Sequence, residues 1–167
     1  MARGGGAVRY GPQNVGGIVN FVTRAIPDEP TVKAGFQTQT SPSSSHDGFK
    51  TSANLLAGGT NNDNGLGGAL LYSGTRGGDW REHSDTQIDD LILKGKLQLD
   101  EANSLHAMAQ YYEGEAQMPG GLSVADYDAD PYQSTRLSDK FWGRRTMFNF
   151  GYDYKEDARQ FSVNSFF

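Results

Sequence analysis

The residues best placed to do chemistry lie close together late in the chain. Arg136, Lys140, Arg144 and Arg145 supply positive charge within a long irregular stretch, 114–145, and Phe141-Trp142 gives it a stiff aromatic anchor. A guanidinium offers carboxylate oxygens a rigid bidentate fork, so the chemistry on offer is the holding of a polyanion. The competing reading is a plain solvated loop, because surface charge is cheap. Asp126, Asp128 and Asp130 open like a calcium loop, but Pro131 stands where the turn glycine is needed and Leu137 where the closing glutamate is needed. His46, His83 and His106 show no ligand spacing. No nucleophile–base or paired-carboxylate arrangement can be assembled, so neither an enzyme nor a metal or cofactor site is expected. Near the N-terminus, Gly4-Gly5-Gly6 and Gly16-Gly17 suggest a phosphate loop. Counted from Gly4, however, the third glycine of Gly-x-Gly-x-x-Gly falls on Arg9, and no Gly-Lys-Ser/Thr follows. Tight turns feeding a short strand, Ile18 to Thr23, account for these glycines better.

The elements that must position these residues are strands. Val32, Ala34 and Phe36 alternate with Lys33, Gly35 and Gln37; Ala53, Leu55 and Ala57 with Ser52, Asn54 and Leu56; Leu66, Gly68, Leu70 and Tyr72 with Gly67, Ala69, Leu71 and Ser73. The fourth segment is clearest: Leu91, Leu93, Leu97 and Leu99 share a face with Gly95, opposite Asp90, Ile92, Lys94, Lys96 and Gln98. A helix would scatter these residues at steps of about 100°, so a period of two is the better description. Three more segments follow, around Leu105–Tyr112, Phe148–Tyr154 and Phe161–Ser165. The connections alternate, short at 60–65, 100–103 and 155–159 and longer at 40–48, 77–86 and 114–145. Strands near the length of a tilted membrane strand, with loops long on one side only, predict an up-and-down transmembrane β-barrel wall. Its apolar face would meet lipid, with Tyr72, Tyr111, Tyr152 and Tyr154 in aromatic girdles near the strand ends. No run of apolar residues is long enough for a membrane helix. A net charge of −5 gives no support to nucleic-acid binding. The N-terminus lacks a signal-peptide pattern and the chain stops inside an apparent strand, which reads as a piece of something longer.

The residues that precede the first strand carry a resemblance. Arg3-Gly4, Tyr10-Gly11 and Gly16-Gly17-Ile18-Val19-Asn20-Phe21-Val22-Thr23-Arg24 resemble the end of the plug domain in TonB-dependent outer-membrane receptors. Gly-Ala-Val-Arg-Tyr-Gly-Pro-Gln (6–13), Asp-Trp-Arg-Glu-His-Ser (79–84), Met-Pro-Gly-Gly-Leu-Ser (118–123) and Phe-Trp-Gly-Arg-Arg (141–145) narrow the likeness to receptors for ferric citrate. The resemblance implies an all-β chain. Residues 1–27 would be the C-terminal end of a plug, and 28–167 about seven strands of an antiparallel 22-stranded barrel. It implies uptake of ferric citrate or a similar iron chelate, with iron present only as cargo. The implied partners are the TonB–ExbB–ExbD complex, reached through a segment outside this sequence, and outer-membrane lipid and lipopolysaccharide. On this reading Arg136, Lys140, Trp142, Arg144 and Arg145 are external-loop candidates for attracting or covering the chelate, unless the loop is merely solvated or rests on lipopolysaccharide phosphates. Arg9 and Arg24 are expected to pair with acidic groups inside the barrel and hold the plug. A receptor of the same architecture for another nutrient, and a non-transport β-protein such as an adhesin, remain as alternatives.

Overall fold

A computed structural model describes residues 22–41 and 48–167. The expectations for Arg9, the glycine pairs and most of the strand 18–23 lie outside the described residues. Among the described residues seven strands follow one another: β1 (Thr31–Ser41), β2 (Gly48–Asn61), β3 (Leu66–Gly77), β4 (Thr86–Gln98), β5 (Asn103–Gln117), β6 (Lys140–Glu156) and β7 (Arg159–Phe166). They form one antiparallel sheet in strict chain order, each strand hydrogen-bonded to its sequence neighbours. A short helix, α1 (Val124–Ala129), stands between β5 and β6.

The register joins the alternation of each strand to that of the next. Leu55 faces Tyr72, Tyr72 faces Leu91, Leu91 faces Tyr111 and Tyr111 faces Thr146. Because directly paired residues point to the same side, one face carries Phe36, Leu55, Leu70, Leu93, Leu97, Leu105, Phe148, Phe150 and Val163. The other carries Gln37, Asn54, Ser73, Asp90, Lys94, Lys96, His106, Gln110 and Asn149. This is the division expected from the sequence, face by face.

Burial runs opposite to a soluble protein. The buried hydrophobics Leu56, Ala69 and Ile92 and the buried polar residues Gln110 and Asn149 all belong to the polar face. The apolar face is bare, with Leu93 at 49% and Phe150 at 57% exposure. A contiguous exposed apolar surface of this kind marks contact with a partner or a membrane. The four tyrosines lie on it, and their hydroxyls donate to Asp89, Glu113, Asn103 and Glu156 respectively. That gives each ring an apolar body and a polar tip, as suits an interface.

Connections are short on one side, at 62–65, 99–102 and the two-residue turn Asp157-Ala158, and longer on the other, at 42–47, 78–85 and 118–139. In the first turn Asn61 and Asn64 accept backbone N–H groups from Asp63 and Leu66. Gly77, at φ +110, closes β3 where an added Cβ would run into the Phe49 carbonyl oxygen, so no side chain fits.

Candidate functional site

The structure corrects the boundary of the long loop. The stretch 114–145 is not irregular throughout: β5 continues to Gln117 and β6 begins at Lys140, leaving a loop of 118–139. Cross-strand charge explains the extension. Glu113 is directly opposite Arg144, whose Nη2 donates to it at 2.7 Å, and Lys140 reaches Glu115 at 3.2 Å. Opposite charges across a ladder stabilise strand pairing by roughly 0.2–1 kcal/mol each. Of the five cation-and-aromatic candidates, only Arg136 is on a loop.

Strand parity then divides the remaining four. Lys140, Trp142 and Arg144 project from the apolar face, beyond Tyr111 toward the long-loop side, and the Arg144 guanidinium lies 5.8 Å from the Trp142 ring centre. With Arg76–Asp89 at 2.6 Å they make a belt of three ion pairs, so the cations are matched by acids. Arg145 points the other way. Its Nη2 donates to Gln110 Oε1 at 3.0 Å, while Gln110 donates to both oxygens of Asp90 at 2.8 and 3.0 Å. Among the described residues no carboxylate pairs with Arg145 directly, and the residue is exposed. Arg136 is paired with Asp139 at 3.1 Å.

The loops themselves are knit around Arg81, which in the sequence is only one charge among several. Its Nη1 donates to the Gly120 carbonyl at 2.7 Å; Nη2 donates to Gln133 at 2.8 Å and Pro119 at 3.3 Å. The Glu82 N–H donates to the Tyr132 carbonyl at 2.9 Å, Trp80 packs edge-on against Tyr132 with centroids 5.8 Å apart, and a His83 ring nitrogen meets the Asp139 carbonyl at 2.7 Å. Loops 78–85 and 118–139 are therefore one body. Helix α1 is started by a capping box: Ser123 Oγ accepts the Asp126 N–H, and the Asp126 carboxylate accepts from the Ser123 N–H and hydroxyl. The Ser123 hydroxyl holds the Asp126 carboxyl below its ordinary range. Asp126 is thus engaged in the cap, and no metal-binding cluster occurs among the described residues.

The segment ahead of β1 lies across the polar face. There Lys94 Nζ donates to the Thr23 hydroxyl at 2.8 Å and the Arg24 carbonyl at 2.7 Å. Arg24 itself is exposed, and among the described residues its guanidinium enters no ion pair. Among the described residues the segment is attached here through the Arg24 carbonyl. Lys94 carried a signal in the sequence, a cation in the middle of the most regular strand, but nothing there showed what it would meet.

No protein-family model matches the chain. Structural comparison finds a crystal structure of the ferric citrate transporter FecA in its unliganded form, with a TM-score of 0.92 and 59% sequence identity over 98% of this chain. This chain spans 25% of that one. It is a close homologue of that quarter of the transporter, and its seven-stranded sheet matches a portion of the transporter's barrel.

Proposed function

We propose that the chain is the end of a plug (1–27) and the opening stretch of the wall (28–167) of an outer-membrane receptor that imports a ferric chelate, with ferric citrate as the cargo. The observation that carries this reading is the 59% identity to a ferric citrate transporter, over a match that takes in 98% of the chain. The bare apolar face supports a lipid-exposed exterior, and the polar face, with the segment 22–30 lying on it, supports a lumen that holds a plug. Energy would come from the TonB complex, the partner that the resemblance of the sequence to TonB-dependent receptors implies.

Within this reading Arg145 is the candidate that faces the cargo. Lys140, Trp142 and Arg144 look outward and belong to the membrane boundary, near lipid headgroups, and Arg136 caps its own loop. The test is a chimera in which residues 22–167 replace the matching quarter of the ferric citrate transporter. It should sustain uptake of radiolabelled ferric citrate, Arg145→Ala should weaken uptake at low chelate concentration, and Arg144→Ala should not. A correctly inserted chimera that imports no chelate refutes the assignment.

A further inference from the structure

The segment Val22–Pro30 is held to the sheet by side chains of β2 and β4, which meet two of its backbone carbonyls and two of its own side chains. Lys94 on β4 takes the Thr23 hydroxyl and the Arg24 carbonyl. Thr60 at the end of β2 donates to the Pro27 carbonyl at 2.8 Å. Lys96 lies 3.6 Å from Asp28. Pro30 then passes so close to β2 that a Cβ on Gly59 would lie 2.9 Å from its Cα, an approach that glycine alone allows. The contacts come from two strands, β2 and β4, and fasten the segment along its length.

Composition explains why side chains do the fastening. Pro27 and Pro30 have no N–H and cannot join a β ladder. The segment therefore crosses the sheet face as a non-strand, and its carbonyls must find donors elsewhere. Lys94 and Thr60 supply them. Lifting the segment would exchange the bonds from Lys94 and Thr60 for bonds to water, a net loss that a loose linker does not carry.

We propose that Val22–Pro30 is a docked strap that stays seated on the polar face of β2–β4 throughout transport, with Lys94 as its latch. The passage for cargo then opens by movement of other parts of the receptor. Lys94 is a positioning residue: it touches no cargo and acts through the course of the strap. The inference rests on the transport reading.

Two experiments on the chimera test it. In the first, Thr60→Cys and Pro27→Cys are combined and oxidised, disulfide formation being followed on gels. A seated strap predicts ferric citrate uptake within about twofold of the reduced protein. A tenfold or greater loss on oxidation, restored by reductant, overturns the proposal, because it means the strap must leave the wall. The second reads the latch without transport. Half-buried Ile26 is replaced by Cys and its maleimide labelling is timed in membranes, with Lys94 intact, Lys94→Met or Lys94→Arg. Labelling should quicken at least tenfold in Lys94→Met and return most of the way in Lys94→Arg. Equal rates in all three remove Lys94 from its role. Should the unmodified chimera import nothing while Lys94 still governs labelling, the transport reading fails and the latch stands.

Discussion

Arg81 fixes the shape of the long-loop rim, and the size of its effect can be worked out. Replacing it by Ala removes donors from the carbonyls of Gly120, Gln133 and Pro119, at 2.7, 2.8 and 3.3 Å. Hydrogen bonds from charged donors contribute roughly 1.5–3 kcal/mol each in protected settings. The guanidinium is only part-buried, the third bond is long, and water can replace part of what is lost. Counting two effective bonds at the lower end gives about 2–4 kcal/mol for holding 118–139 against 78–85. At about 1.4 kcal/mol per decade that is roughly a 30- to 700-fold rise in local opening. Amide hydrogen exchange measures it directly: protection should fall for Thr135, whose N–H donates to Pro119, and for Glu82, whose N–H donates to Tyr132, but not for amides within β3–β5. Arg81→Lys should recover only part, since one ammonium cannot span carbonyls on both sides of the loop. Unchanged protection of Thr135 in Arg81→Ala would refute the claim that the two loops form one body. A matching loss across β3–β5 would also refute it, by showing that Arg81 supports the sheet instead.

Three further outcomes are expected. Leu93→Arg puts a charge on the bare face and should cost about 2–4 kcal/mol if that face meets the bilayer midplane; urea titration in lipid vesicles reads it, and wild-type stability would contradict a lipid-facing role. Gly77→Ala, at φ +110 against the Phe49 carbonyl, should cost at least about 1–3 kcal/mol from backbone strain, seen as a lower temperature for loss of folded mobility on gels. The Asp126 carboxyl is lowered in the fold from an ordinary 3.8 by its bonds to Ser123. Its stabilisation of helix α1 is therefore fully present above that value and disappears as pH falls through the lowered one. Proteolysis between 123 and 130 by an acid-active protease should rise below about pH 4, and Asp126→Asn should flatten that rise.

The period-two pattern was enough to recover the faces of all seven strands, because a strand that buries or exposes one side must alternate. What it could not locate were the upper ends of β5 and β6. Those ends are held by Glu113–Arg144 and Glu115–Lys140, pairs between residues 31 and 25 apart in sequence, and hydrophobic alternation is silent where charges make the ladder. Helix α1 had a readable signal in Ser123-x-x-Asp126, a capping box without the apolar run that normally makes one conspicuous. The strap and the Arg81 hub were not legible, since each joins side chains to carbonyls of segments whose paths only the folded chain defines.

For function, the consequence is plainest at the two adjacent arginines. As loop residues, Arg144 and Arg145 would be interchangeable sources of positive charge. Once β6 is seen to include both, parity sends them to opposite sides of a wall one residue thick. Arg144 is neutralised by Glu113 at the level of the tyrosine hydroxyls, where a barrel meets headgroups. Among the described residues Arg145 shares only a neutral amide, Gln110, and that amide is itself drawn toward Asp90. A guanidinium whose one described partner is a carboxamide can still accept a carboxylate-rich ligand without first breaking an ion pair. The binding assignment therefore turns on the single β5–β6 register that sets Tyr112 against Arg145, and a slip of one residue would exchange the roles of the two arginines.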